Sequence, residues 1–251
     1  MGKTSNRSVD KISVIIPTYN EKKTIKHIVE NVLKHVKHVV VVDDCSTDST
    51  INELSDFEIT LLQNNENLGK AGTLWRGIDH AIRQGSEKII TMDADGQHMP
   101  DDIPRFIQTS YDYPRRIVVG MRFESSVGIP KARYNANKFA NFWVAWASGM
   151  PLKDSQCGFR LYPAELFSQV KIKTEKGRGF VFESEVLIEA GRNGYKVVST
   201  PIDAIYSDDA RPSHFRPVLD IAKITIMVAG KLLSRGLYLK GLYRSLIEKA
   251  E

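Results

Sequence analysis

Cysteine is scarce: Cys45 and Cys157 are the only two in 251 residues. They stand far apart and outside any CxxC or Cys/His spacing, so neither a disulfide framework nor a zinc site is indicated, and a reducing cytoplasm fits the chain. Long apolar runs are missing as well. No stretch approaches the roughly 20 apolar residues that span a bilayer, and the longest near the C-terminus, Ile224 to Gly230, is closed off by Lys223 and Lys231. Residues 1–10 are polar and lack the apolar segment of a secretory signal. Neither sign of charge dominates: 35 Lys plus Arg against 30 Asp plus Glu leave +5, with a pI of about 9.1. That excess is too small to indicate nucleic acid, but it suits an anionic ligand or an anionic membrane surface. Ordinary fractions remain, 42% hydrophobic and 26% charged, enough for one substantial core with an appendage.

Short β-rich runs alternate with helical periodicity in the first hundred residues. Ile12 to Ile16 ends at Pro17, and Ile25, Ile28, Val29, Val32, Leu33 and Val36 then recur at helical spacing. Val39 to Val42 stops at Asp43-Asp44, after which Ser46-Thr47-Asp48-Ser49 offers N-caps for a second helix. Ile59 to Leu62 leads through Asn67, Leu68 and Gly69 into a third helix, and Ile89 to Met92 closes at Asp93. Four strands and three helices predict βαβ units in a largely parallel, doubly wound sheet. Ligands of such sheets sit beyond the carboxyl ends of the strands, where the unusual residues of this chain also fall.

The second half is less regular. Ile117 to Met121 reads as a strand and Lys131 to Ser148 as a helix rich in aromatics, including Phe139, Phe142, Trp143 and Trp146. This stripe has two readings, a filled core or a seat at a bilayer interface. A helix around Phe182, Val186 and Leu187 precedes a strand, Val197 to Thr200, and from Pro217 a basic amphipathic helix is the simplest description. Glu183 and Glu185 read as structural acids with the capacity to anchor an arginine. Both cysteines read as buried, inert thiols.

In Asp93-Ala94-Asp95-Gly96-Gln97 two carboxylates stand at i and i+2 where a strand breaks into a loop, a spacing that lets both approach one hard cation. A nucleoside diphosphate beside these acids would be repelled by roughly 4 kcal/mol per pair of unit charges about 4 Å apart at an effective dielectric of about 20. A divalent ion reverses that sign. His98 is read as a loop histidine, with a third metal ligand as the alternative.

Pro17-Thr18-Tyr19-Asn20-Glu21, Val42-Asp43-Asp44-Cys45-Ser46-Thr47-Asp48 and Asp93-Ala94-Asp95-Gly96-Gln97, in that order and each at a strand end, resemble the successive signatures of glycosyltransferase family 2, which has the GT-A fold. Asp154-Ser155-Gln156-Cys157-Gly158-Phe159-Arg160 resembles the acceptor-side motif of its polyprenyl-phosphate branch. The likeness spans about residues 12–210 and implies a GT-A domain over 12–216, with a nucleotide-binding half (12–100) and an acceptor half (101–216). A flexible 1–11 would precede it and a helical tail, 217–251, would follow.

By resemblance, Pro17, Tyr19, Glu21 and Asp44 hold the nucleoside, with Asp43 beside them. Gly69 and Lys70 approach the donor, and Asp93, Ala94, Asp95 and Gln97 contact it, with Asp93, Asp95 and Gln97 as ligands of Mg2+ or Mn2+. Arg122 and Arg133 correspond to arginines that grip a lipid phosphate, although Asn137 departs from the small hydroxyl residue usual one turn on. His214 in Arg211 to Arg216 replaces a frequent lysine. Asp154 either orients sugar or acceptor or, for a hydroxyl acceptor, serves as base.

The resemblance implies inverting transfer from a nucleoside diphosphate sugar to a polyprenyl or dolichyl phosphate, with peripheral contact at the cytoplasmic membrane face. A soluble glycan or other hydroxyl acceptor is one alternative, and a nonenzymatic nucleotide-sugar sensor is another.

Overall fold

The computed structural model describes residues 9–122, 131–175, 179, 181–202 and 217–248. A seven-stranded sheet runs through its centre in the order β3-β2-β1-β4-β6-β5-β7. Its strands are β1 (Ile12–Thr18), β2 (His38–Asp43), β3 (Thr60–Gln63), β4 (Lys88–Thr91), β5 (Arg116–Arg122), β6 (Arg160–Pro163) and β7 (Lys196–Ile202). β1 pairs in parallel with β2 and β4, β2 with β3, and β5 with β7. Only β6 runs the other way, wedged between β4 and β5.

Near-continuous burial of β1, β2 and β4 follows from their Val/Ile runs, because a parallel sheet is covered on both faces. Helices α1 (Ile25–Leu33), α2 (Gly69–Arg83) and α3 (Ile103–Asp112) pack against it. α2 lies so close that a Cβ on Gly77 would stand 2.4 Å from Ile15 Cγ2. On the acceptor side α4 (Lys131–Ser148) packs against α6 (Val181–Arg192), and the short α5 (Leu166–Gln169) follows β6.

Three details depart from the sequence reading. After β2 there is no second α-helix, only the 3-10 turn Ile51–Leu54. The polar residues before it are used otherwise: Thr47 N donates across to Asn20 Oδ1 at 2.7 Å, and Asp48 closes its own turn, Oδ1 accepting from Thr50 N at 2.9 Å. The tail is two helices, α7 (Pro217–Leu233) and α8 (Leu239–Ile247), broken where Leu237 and Tyr238 take left-handed φ of 66° and 44°. Cys45 is exposed, also at a left-handed φ of 66°, whereas Cys157 is buried and its thiol is pushed up to about 12 by that burial.

Candidate active site

Strand direction decides what meets at the carboxyl edge. β1, β2 and β4 end there, and because β6 is antiparallel its beginning arrives there too, carrying the Asp154–Arg160 loop against the Asp93 loop. Thr91 Oγ1, at the end of β4, donates to Gly158 O at 2.9 Å and fastens the two.

After β1, Asn20 sits at a φ of 57° and ties to the second loop, its N–H donating to Ser46 Oγ at 2.8 Å, while Glu21 N donates to Thr50 Oγ1 at 2.8 Å. The acids after β2 divide their work. Asp44 accepts from Leu68 N at 2.7 Å, Gly69 N at 2.8 Å and Asn64 Nδ2 at 2.8 Å, so its carboxylate caps the amino end of α2. Asp43 accepts from Ser46 N at 3.1 Å through Oδ2, and its buried Oδ1 has no hydrogen-bond partner among the described residues. Asp43 Oδ1 is therefore the unengaged oxygen of the pair, while both oxygens of Asp44 already accept hydrogen bonds.

Lys70, in the first turn of α2, forms the electrostatic centre. Its Nζ lies 2.7 Å from Asp93 Oδ1 and 2.8 Å from Glu183 Oε1, with all three side chains largely shielded from solvent. Burial works against the ammonium, but the charges of Asp93 and Glu183 raise its pKa above the ordinary lysine value. Burial would likewise raise Asp93; Lys70, then His98, outweigh it and hold that carboxyl below the usual range. Asp95 goes the other way, raised by burial and by its neighbour Asp93. Its Oδ1 accepts from Gln97 N at 3.0 Å, Gly96 supplies a left-handed φ of 79°, and Thr24 Oγ1 donates to Ala94 O at 2.6 Å. His98 is buried against Phe159, ring centroids 5.4 Å apart, and that burial lowers its pKa against the pull of Asp93 and Asp95.

Two adjacent carboxylates and an amide side chain are hard donors of the kind that suits Mg2+ or Mn2+. Among the described residues no group of three or more His, Cys, Asp and Glu is arranged to hold a metal. A cation here would take much of its shell from diphosphate and water, as Mg2+ commonly does.

On the acceptor side Arg122, at the end of β5, grips Asp154 with two parallel bonds, Nε to Oδ2 at 2.7 Å and Nη2 to Oδ1 at 2.9 Å. Asp154 Oδ1 also accepts from Gln156 N at 3.1 Å. Arg133 belongs to the first turn of α4, but its side chain, like all of Arg211 to Arg216, lies outside the described residues.

Sequence reasoning missed two residues of this site. Glu183, read as a structural acid, is the second partner of Lys70; the signal was acids set directly between the apolar pairs Val181-Phe182 and Val186-Leu187, since a buried carboxylate calls for a cation. Gly158 is the other: a Cβ there would stand 2.8 Å from Asp93 Oδ2 and 3.3 Å from Lys70 Nζ. Gly158→Ala is accordingly expected to cut turnover at least about tenfold by displacing the carboxylate while the fold persists. Initial rates measured beside circular dichroism check this, and unchanged rates would show that the loop yields.

An open cavity of about 720 Å³ at the amino ends of the parallel strands, lined by Trp75, Lys88 and Phe167, offers no rival centre. Its acids Asp79, Glu87 and Glu165 are paired with Arg83, Lys11 and Arg115.

Against known families, residues 13–184 match the model of glycosyl transferase family 2. The chain belongs to glycosyltransferase family 2. Among its relatives, the UDP-N-acetylglucosamine–dolichyl-phosphate N-acetylglucosaminyltransferase of Methanococcus voltae is 32% identical over 220 residues, covering 78% of this chain and 86% of the relative. The polyprenol monophosphomannose synthase of Mycolicibacterium smegmatis is 28% identical over 207 residues, covering 78% of each. In fold, the family 2 chain is similar to glucosyl-3-phosphoglycerate synthase of Mycobacterium tuberculosis, solved with Mn2+, UDP and phosphoglyceric acid. The TM-score is 0.66 at 18% identity, over 90% of this chain and 78% of that one. This glycosyltransferase thus has the GT-A architecture, a mostly parallel sheet with one reversed strand flanked by helices.

Proposed function

We propose that this glycosyltransferase moves a sugar, with inversion, from a nucleoside diphosphate sugar to a polyprenyl or dolichyl phosphate, working with Mg2+ or Mn2+ at the cytoplasmic face of a membrane. The observation that carries the reading is the meeting of the Lys70–Asp93 pair with the Gly158 loop, which joins a diphosphate-suited cluster to the Asp154–Arg122 fork. The two relatives named for dolichyl and polyprenol phosphate chemistry support the acceptor class.

In this reading the buried Oδ1 of Asp43 accepts an N–H of the base, and Pro17, Tyr19 and Glu21 line the nucleoside beside it. Asp93, Asp95 and Gln97 hold the cation, which when bound supplies Lewis-acid stabilisation of the departing diphosphate. Lys70, fixed by Glu183, adds a positive charge on the same side. The acceptor oxygen attacks the anomeric carbon as the bond from that carbon to the diphosphate breaks, so the new bond forms on the opposite face. A phosphate acceptor is already ionised and needs little help from a base. Asp154, with both oxygens on Arg122, then positions that arginine toward the acceptor phosphate, and Arg133 joins it.

Incubation with radiolabelled nucleotide sugars and extracted polyprenyl phosphates tests the proposal. Label is expected in the organic phase. Label appearing only in water-soluble glycans would favour a hydroxyl acceptor, and donor binding with no turnover would favour a sensor.

A further inference from the structure

The largest departure from ordinary burial lies outside the sheet, on α7 and α8. In α8, Leu239, Tyr243, Leu246 and Ile247 are each 63–67% exposed. Their spacing of four, seven and eight residues puts them on one face of the helix. The one buried residue among those of α8 is Gly241, pressed toward Tyr238 and Trp146 O. This amphipathic helix therefore turns its apolar face to solvent, the reverse of a helix that serves a core.

α7 continues the surface. Ile224, Val228 and Leu232 point into the core, while Leu219, Ile226 (72%) and Leu233 (70%), seven residues apart, stand out. α4, which packs against both helices, adds exposed Phe139 and Phe142. These residues are not on a fraying end. Trp146 Nε1 donates to Leu237 O at 2.9 Å, and Lys231 Nζ is clamped by buried Glu185 at 2.9 Å and by Glu189 at 2.7 Å. An apolar surface held out this firmly marks an interaction site.

Charge selects the occupant. Residues 217–248 carry five basic side chains against the acids Asp220 and Glu248; with Lys231 spent on Glu185 and Glu189, Lys223, Arg235, Lys240 and Arg244 leave a net +2. Two copies meeting through this face would bring like charge together, whereas an anionic bilayer attracts it. We infer that α7 and α8 seat the protein on an anionic lipid surface, with Leu239, Tyr243, Leu246 and Ile247 inserted at the headgroup boundary and Lys240 and Arg244 on lipid phosphates. For its purpose, delivery of the site to a lipid-borne acceptor, the inference rests on the proposed function; its test does not.

Cosedimentation of the full chain with phosphatidylcholine vesicles, with and without phosphatidylglycerol and free of polyprenyl phosphate, decides the matter. Binding is expected to the anionic vesicles and to weaken with salt. The double variant Leu239→Ser/Leu246→Ser should lose at least about tenfold in vesicle affinity, and Lys240→Gln/Arg244→Gln about fivefold per charge at low salt, both with unchanged melting temperatures. No binding by the parent chain, unchanged binding by the apolar double variant, or a dimer that this variant dissociates would each overturn the inference. Sugar transfer to a detergent-dispersed polyprenyl phosphate, measured in parallel, should survive in the variant. Absence of transfer from the parent chain as well would count against the proposed function alone.

Discussion

Asp93→Asn is expected to lower turnover by about a hundredfold or more at saturating metal and donor, the scale seen when one preorganised charge stabiliser is removed. The substitution keeps the shape of the side chain, so the close approach of Gly158 and the Thr91 bond that fastens the two loops remain. What goes is the negative charge that faces Lys70 at 2.7 Å and supplies one of the two adjacent carboxylates. Near-normal turnover in this variant would remove the cation from the account. The same variant has a pH signature. The folded state holds the Asp93 carboxyl below its ordinary range, so its contribution to stability is complete above the unfolded carboxylate value and is lost as pH falls through the folded one. Thermal melts of parent and variant should therefore differ most near neutrality and converge in acid. Melts that stay parallel down to acid pH would contradict this.

Arg160→Met is expected to destabilise the fold by about 3 kcal/mol or more, lowering the melting temperature by roughly 6–12 °C for a chain of this size. Arg160 is completely buried, yet its bonds go to backbone carbonyls: Nε to Cys157 O at 2.7 Å, Nη1 to Glu183 O at 2.7 Å and Nη2 to Ser155 O at 2.8 Å. Methionine fills much of the volume and relieves the cost of a buried charge. The carbonyls, however, stay buried without donors, at about 1–3 kcal/mol each. Since these bonds tie the Asp154–Arg160 loop to α6, the surviving folded fraction should also be slower in turnover. A melting temperature within about 2 °C of the parent, less than roughly 1 kcal/mol by the same conversion, would mean that water or a shifted loop replaces the guanidinium.

Much of the donor side was legible because it is local. Each acidic or Asn-Glu turn follows directly on an apolar run, and a parallel sheet collects the ends of such runs on one edge. The division between Asp43 and Asp44 was not legible, since it depends on which of two adjacent carboxylates turns toward the amino end of α2. β6 also escaped notice. Its four residues begin at Arg160 and end at Pro163, without alternation and with a charge where an apolar residue would be expected. The tail read as one helix because its apolar periodicity barely falters across Arg235 to Tyr238; the local stop signal was Gly236, at a left-handed φ of 58°, and packing adds to it, with Trp146 holding the carbonyls of Leu237 and Tyr238.

By itself, then, the sequence determined the sheet class, the edge at which the acidic turns gather and the acidic loop at Asp93, because short continuous apolar runs and the turns that end them are encoded within a few neighbouring residues. The tertiary structure alone decided that Glu183 and Asp93 share Lys70, that Gly158 abuts them and that the apolar face of α8 looks outward. Those outcomes depend on the direction in which β6 enters the sheet and on how α6 and α7 pack, contacts between residues tens to more than a hundred positions apart that no local pattern specifies.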